Sequence, residues 1–288
     1  MDNFSRIDLH SHSNVSDGML SPSALVQHAA EHGLKVLALT DHDDTAGLAE
    51  AKAAADRYGI MLIPGVEISV TWRRRTLHIV GLKIDPTHVP LAEGLRRIRD
   101  GRHLRAQGMA ASLERAGIQG SLEGAYRYAG DGIISRTHFA RYLMELGYGS
   151  DMRKIFKRFL VKGKPGYVEH HWAGLEEAVG WILGAGGIAV MAHPGRYDMG
   201  RPTMLELLEA FRSCGGSAIE VVTSSHTPDQ YLEYARIASM FGLRASQGSD
   251  YHGPGLSYME MGRLPLLPDH CLPVWQGWPE AEFMTKGH

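Results

Sequence analysis

The chain predicts an α/β fold, a closed barrel of seven strands, and three observations carry that prediction. Strand-like and helix-like segments alternate with short connections on both sides of a basic middle stretch. Histidine and carboxylate motifs recur at or just after the ends of the strand-like segments, as expected where βα loops converge on the C-terminal rim of a barrel. Glycine-rich phosphate loops of the dinucleotide or P-loop kind, which would favour an open doubly wound sheet, are absent from the sequence.

Taken in order, Arg6 to His10 reads as the first strand. Ser21-Pro22 supplies an N-cap with proline at the first helical position, opening a helix that stops at Gly33. Lys35 to Thr40 is the next strand, followed by an alanine-rich helix from Ala46 to Tyr58 that ends at Gly59. Ile60 to Pro64, Glu67 to Val70 and Thr76 to Ile84 are strand-like, with Arg73, Arg74 and Arg75 in a solvent-exposed turn. Beyond the middle stretch, helices over 175–183, 204–212 and 229–240 alternate with strands over 188–192, 218–222 and 243–247. The proline-rich tail from Leu264 to Trp278 is expected to pack across the barrel.

Composition bounds the function classes. Apolar residues at 44% and charged residues at 22% are the balance of a soluble globular protein. The opening Met1 to Arg6 lacks a charged-then-apolar secretory pattern, and the longest uncharged run, 178–192, is too short for a bilayer and broken by Gly184, Gly186 and Gly187. Two cysteines, Cys214 and Cys271, imply no disulfide framework. The expectation is a cytoplasmic protein with no membrane partner; nothing in the sequence sets its oligomeric state. Net charge is −2, but from Arg96 to Lys164 there are 15 Lys or Arg against 6 Asp or Glu. A basic segment in an acidic frame suits an anionic substrate carried to a cationic wall, although any single arginine there reads more readily as a solvated helix face.

Six histidines and three carboxylates form the motif set: His10-Ser-His12 with Asp17, Asp41-His42-Asp43, Glu67, His78, His193-Pro-Gly and Asp250-Tyr-His252. Imidazole nitrogen and carboxylate oxygen are ligands for divalent zinc, manganese or iron. Residues i and i+2 of a strand share a face, so His10 and His12 can reach one ion, and Asp250 and His252 neighbouring ones. A single such pair is as well explained by satisfied polar residues; two pairs with Glu67 and His193 on one rim favour metal. His78 also fits a strand with one buried imidazole, and Asp17 a simple turn former. Asp43 and Asp44 read as helix caps, Asp8 and Asp41 as carboxylates that orient liganding imidazoles.

These motifs, His10-Ser-His12-Ser-Asn-Val-Ser-Asp17-Gly, Thr40-Asp41-His42-Asp43, Pro64-Gly-Val-Glu67, Ala192-His193-Pro-Gly and Gly248-Ser-Asp250-Tyr-His252, resemble those of the polymerase and histidinol phosphatase (PHP) family. The resemblance implies a distorted (β/α)7 barrel, here residues 1–95 and 168–288, with an inserted mainly helical substrate-binding domain over 96–167. It implies a trinuclear centre: a first ion on His10, His12, Glu67 and Asp250, a second on Glu67, His78 and His193, a third on Asp17, His42 and His252. Two to three divalent ions are expected, manganese first, with zinc or iron as alternatives.

The middle stretch narrows the choice. Ile134-Ser-Arg-Thr-His-Phe-Ala-Arg141 and Gly163-Lys-Pro-Gly-Tyr-Val168 resemble the branch of 3′,5′-nucleoside bisphosphate phosphatases, whose relatives also trim RNA 5′ ends. Candidate substrate-binding residues are Ser135 at a helix N-terminus, Arg136, His138, Lys164 and Arg196. Hydrolysis by an ion-activated water needs no covalent phospho-enzyme, and Asp17, His193 and His252 are candidates to assist the leaving oxygen. The implied activity is removal of the 3′-phosphate from a nucleoside 3′,5′-bisphosphate such as pAp. Alternatives are a 5′-3′ exoribonuclease, a non-catalytic PHP scaffold module and, last, a histidinol phosphatase.

Overall fold

The computed structural model describes residues 4–284; residues 1–3 and 285–288, the extremes of the predicted barrel segments, lie outside them. Helix α1 (Pro22–Glu31) starts as its sequence predicts: the Ser21 side chain accepts from the Ala24 amide and Pro22 fills the first helical position. Helix α2 (Leu48–Tyr58) ends at Gly59, whose left-handed backbone a side chain would oppose. Strands β1 (Ile7–Asp8), β2 (Val36–Leu39) and β3 (Met61–Trp72) pair in parallel around these helices.

Here the alternation departs from the expected parallel pattern. β3 is one continuous strand through Pro64-Gly65, not two pieces, and β4 (Arg75–Leu82) folds back on it antiparallel. The cause is local: Arg73 and Arg74 both adopt positive φ, 46° and 64°, in a two-residue turn, and so short a link permits only antiparallel pairing. β4 then pairs antiparallel with β6 (Ile188–Met191), and β7 (Ala218–Thr223) and β8 (Arg244–Gly248) continue in parallel. The short β5 (Ala173–Gly174) lies off this path, against the end of β3. Seven strands thus run in the order β1-β2-β3-β4-β6-β7-β8. Backbone bonds from Leu9 N–H to the Gln247 carbonyl and from Asp250 N–H to the His10 carbonyl join the last strand to the first. The result is a nearly closed, distorted (β/α)7 barrel with one reversed strand.

Alternate residues along the strands segregate. Val36, Ala38, Ile63, Val80, Leu82 and Val190 form an inner apolar layer with Trp275 and Trp278 of the tail. Leu37 and Leu39 face α1 and α2, while Leu77, Ile79 and Met191 face α7 (Leu175–Gly184) and α8 (Arg201–Ser213). Helix α9 (Pro228–Phe241) opens with a capping box on Thr227 and Gln230 and covers β7. The inner layer and tail close one end of the barrel, leaving the strand C-termini at the other for polar groups.

Helix α3 (Val89–Arg115) runs through the predicted 95/96 boundary. Its first turns put Leu91, Leu95 and Ile98 into the barrel's outer core, and its second half puts Ala106, Met109 and Leu113 against α5 (Arg136–Glu145). Phe139, Leu143 and Leu160 complete that second core, together with α4 (Ser121–Ala129) and α6 (Met152–Ile155), which passes into a wider turn over 156–160. A 27-residue helix spanning two cores ties the basic segment rigidly to the rim. Among the described residues no helix is long and apolar enough to cross a membrane, and both cysteines are free.

Candidate metal centre

All nine residues of the motif set meet at the polar end of the barrel. His10 and His12 follow β1, Asp17 sits in the next turn, His42 follows β2, Glu67 and His78 project from β3 and β4, His193 follows β6, and Asp250 and His252 follow β8. Glu67 lies mid-strand rather than at a strand end, because β3 continues into the hairpin. His78 reaches the same rim because β4 is reversed.

The donor atoms form overlapping groups. His10, His12, Glu67 and Asp250 offer ligand atoms within 4.8 Å of one another, as do His12, Asp17, His42 and His252, and again His42, Glu67 and His78. His193 joins the last of these: its Nε2 is 2.9 Å from Glu67 Oε1 and 3.4 Å from His78 Nδ1. The grouping differs from the expected partition in two respects, since His12 is shared with the third group and His42 also reaches Glu67 Oε2 at 2.9 Å.

The donor set fits divalent cations. The Nε2 atoms of His10 and His12 are 3.1 Å apart, and both lie 3.3 Å from Glu67 Oε2. Two metal bonds of about 2.1 Å at a tetrahedral angle separate their donors by about 3.4 Å. Asp17 Oδ1 and Glu67 Oε2 are buried without a hydrogen bond of acceptable geometry, which an acceptor tolerates only if something else satisfies it. Burial drives His12 and His193 down to about 3, so both are neutral imidazoles with a lone pair to give. Burial opposes ionisation of Glu67, Asp17 and Asp250, yet the surrounding imidazoles hold all three carboxyls well below their usual range. Desolvation opposes charge on the half-buried His252, but Asp17 and Asp250 raise it to about 9, a proton that a bound cation would have to displace.

Backbone conformation at the rim is strained where the ligands need it. His193 and Asp250 have φ of 26° and 54°, a region costly for residues with a side chain and found where function over-determines the conformation. Gly248 permits the approach of β8 to β1: a Cβ there would lie 2.2 Å from His10 Cβ.

Supporting carboxylates are partly different from those expected. Asp8 accepts from the His10 and Ser249 amides, and Asp41 from Ser13 and Ser16, so both brace backbone and loop rather than imidazoles. The imidazole partner is Glu220 of β7, unremarked in the sequence. Its Oε1 is 2.7 Å from His10 Nδ1 and its Oε2 accepts the His193 amide at 2.5 Å. The signal was there, a carboxylate inside the apolar run Ala-Ile-Glu-Val-Val. Neither Asp43 nor Asp44 caps α2, whose N-cap is Gly47: Asp43, at φ 52°, accepts from Ser69 and pairs with Arg102, and Asp44 accepts from the Thr45 and Ala46 amides in the turn before it.

Above the centre opens a cavity of about 500 Å³. Ser135, Arg136 and Arg196 line it, as do Asp17, His193 and His252. Ser135 does more than cap α5: its hydroxyl and that of Thr137 both donate to Asp17 Oδ2 at 3.0 Å, so the basic segment holds a candidate ligand. Arg196 pairs with Asp250 Oδ2 at 2.7 Å. Two expected residues are elsewhere. His138 is buried beneath the cavity, its Nδ1 accepting the Ser135 amide to complete a capping box. Lys164 is exposed, its amide closing a turn on the Val161 carbonyl, and Lys162 lines the cavity instead.

Sequence reasoning also missed Arg102 and Arg105 of α3, with Tyr167 and Trp172; Arg74 and Arg75 are exposed, as expected, and also reach the edge of the cavity. Arg102 and Arg105 both lie over the Trp172 ring. Burial, then the neighbouring Arg136 and Arg102, push Arg105 down to about 9. Among the described residues neither Arg105 nor Arg136 makes an ion pair, so a bound anion would relieve their repulsion.

The comparisons with known proteins agree with this geometry. The PHP domain model matches residues 8–224. Over 271 residues the chain is 54% identical to the 3′,5′-nucleoside bisphosphate phosphatase of Chromobacterium violaceum, covering 94% of this chain and 95% of that one. It is 44% identical to the 5′-3′ exoribonuclease Rnm of Escherichia coli, covering 97% and 96%. A solved Chromobacterium violaceum structure, described as an amidohydrolase with bound sulfate and no metal, superposes with a TM-score of 0.92 at 53% identity, covering 94% and 95%. With this match over most of its length and all nine ligand candidates at one rim, the chain belongs to the PHP domain family.

Proposed function

We propose that the protein is a metal-dependent phosphatase that removes the 3′-phosphate from nucleoside 3′,5′-bisphosphates such as pAp. The observation that carries this reading is the junction of a His/Asp/Glu centre with a cavity in which two arginines, Arg105 and Arg136, make no ion pair among the described residues. One end of a doubly phosphorylated nucleotide would face the centre while the other met Arg105 and Arg136. The relative at 54% identity, named for that activity, supports the same substrate class.

Two to three divalent ions, manganese first, would be held by His10, His12, Glu67 and Asp250, by Glu67, His78 and His193, and by Asp17, His42 and His252. Such ions supply an activated water nucleophile and neutralise charge on phosphoryl oxygens. The chain's own groups orient the ester: Arg196, anchored on Asp250, presents a cation at the rim, and Ser135 and Thr137 keep Asp17 in place. Trp172 and Tyr167 offer aromatic surface to a base. Asp17, His193 and His252 line the cavity as candidates to assist the leaving 3′-oxygen.

A second reading, 5′-3′ exoribonuclease activity, has its own support. A cleft of about 420 Å³ adjoins the centre beyond Arg196, Asp250 and His252 and carries Arg153, Lys157 and Tyr258. A downstream nucleotide would fit there, and the Escherichia coli relative is named for that activity. A scaffold role has no such support, since the whole ligand set is retained. The test is turnover of pAp, histidinol phosphate and a short 5′-phosphorylated RNA by purified protein with manganese. Phosphate release from pAp, abolished by chelation and restored by manganese, is expected; turnover of histidinol phosphate alone overturns the reading.

A further inference from the structure

Apart from the centre, one cluster among the described residues has a metal-binding composition. His28 and His32 sit one turn apart at the end of α1, and Glu260, from the segment after β8, reaches across to them. The three offer ligand atoms within 4.8 Å of one another. Residues four apart on a helix share a face, so the histidine pair is held in register by α1 itself.

The hydrogen bonding of this cluster is overcommitted. His28 Nε2 lies 2.8 Å from Glu260 Oε1 and 2.9 Å from the Tyr251 hydroxyl. An imidazole nitrogen has one in-plane direction, so it can donate to the carboxylate or accept from the phenol, not both. His32 donates its Nδ1–H to the His28 carbonyl at 2.8 Å, the outer bond that metal-bound imidazoles make, and this leaves Nε2 with its lone pair.

We propose that His28, His32 and Glu260 bind one borderline transition-metal ion of the zinc class, separate from the catalytic centre. Two imidazoles and a carboxylate select such an ion over magnesium or calcium, which prefer all-oxygen shells. Shifts of about 1 Å in these half-buried side chains bring the three donors to tetrahedral spacing, and solvent supplies the fourth position. The ion takes the His28 lone pair and one Glu260 oxygen, and the Tyr251 hydroxyl then donates to the Glu260 carboxylate instead of His28. The consequence is a staple: it fixes the segment after Asp250 and His252, which carries Tyr258 at the edge of the second cleft, to α1.

Equilibrium dialysis against zinc tests this, with wild type compared to His32→Ala and Glu260→Gln. Each variant is expected to retain one zinc ion fewer per chain than wild type and to keep its manganese-dependent pAp turnover. Zinc should also raise the thermal midpoint of wild type by several degrees more than that of either variant. A hydrogen-bonded staple with no ion predicts equal zinc stoichiometry in all three proteins, and that result overturns the proposal. So does a loss of two or more ions, which would make the cluster part of the main centre. The midpoint of His32→Ala in chelator shows that the variant is folded, so its stoichiometry can be read directly.

Discussion

The floor and the wall of the candidate site are built by opposite means. The floor is made of short side chains fixed by strand register: Glu67 and His10 are fully buried, and the imidazoles around them touch one another through the carboxylates. The wall is made of long cationic side chains reaching from helices and turns, with Arg196 still 47% exposed while it pairs with Asp250. Rigid short donors suit ions that demand fixed geometry. Long flexible donors suit a substrate that must enter and leave. Changes to the floor should therefore act on metal occupancy and turnover, and changes to the wall on substrate affinity alone.

The sharpest break is at Glu67, whose two oxygens face His10, His12, His42, His78 and His193 between them. Glu67→Gln keeps the volume but removes the charge that offsets this ring of imidazoles. The expected outcome is a loss of kcat of about a thousandfold or more, equivalent to about 4 kcal/mol, with a fall in bound metal measured on the same sample. Unchanged metal content and turnover would make the floor a hydrogen-bond network rather than a metal site.

Glu220 tests whether the floor extends one layer deeper. Held 2.7 Å from His10 Nδ1 and also on the His193 amide, it fixes one ring's tautomer and one ligand's backbone. Glu220→Gln should weaken metal affinity by about 10–100-fold, the usual effect of losing an outer partner, while saturating manganese restores most of kcat. A defect that no manganese concentration repairs would place Glu220 nearer the reaction than its contacts indicate. For the wall, Arg136→Ala removes a cation with no ion-pair partner of its own, so KM for pAp should rise by about thirtyfold, roughly 2 kcal/mol for a lost charged hydrogen bond. Metal content should not move. If kcat falls instead and KM holds, the division between floor and wall fails.

The same division decides what was legible in the sequence. His10-Ser-His12 and Asp250-Tyr-His252 could be read because an i, i+2 pair at a strand end has one possible facing, and the βα alternation says where strands end. Glu220 was hidden because a lone glutamate in a strand looks like any other until its neighbours are known. The wall was harder still. Arg102 and Arg105 sit on a helix whose polar residues mostly meet solvent, and only its path over the rim turns these two inward. Lys164 and Lys162 flank the same turn, and the chain's exit from the 156–160 segment decides between them. The reversed β4 was readable in principle, since two residues between paired strands cannot support a crossover, but the βα pattern on either side masked it.

His138 marks the boundary between the two regions, because its partner Ser135 holds Asp17 of the floor while Arg136 beside it serves the wall. Burial lowers His138 to about 4, with Asp17 opposing and Arg141 reinforcing the shift. A histidine depressed in the folded state binds protons more readily when unfolded, so stability falls as pH drops through the unfolded value of 6.5 toward 4. At pH 5.5 the cost from this group is about 1.2 kcal/mol relative to neutral pH. His138→Gln keeps the capping box, since glutamine at that position also reaches back to the N-cap amide, but it cannot take up the proton. Denaturant midpoints at pH 7 and 5.5 should therefore diverge less in the variant than in wild type, with turnover of pAp at pH 7 preserved. An equal pH dependence in the two proteins would mean that His138 is solvated or already charged. The link it makes between Asp17 and the arginine wall would then be looser than these contacts require.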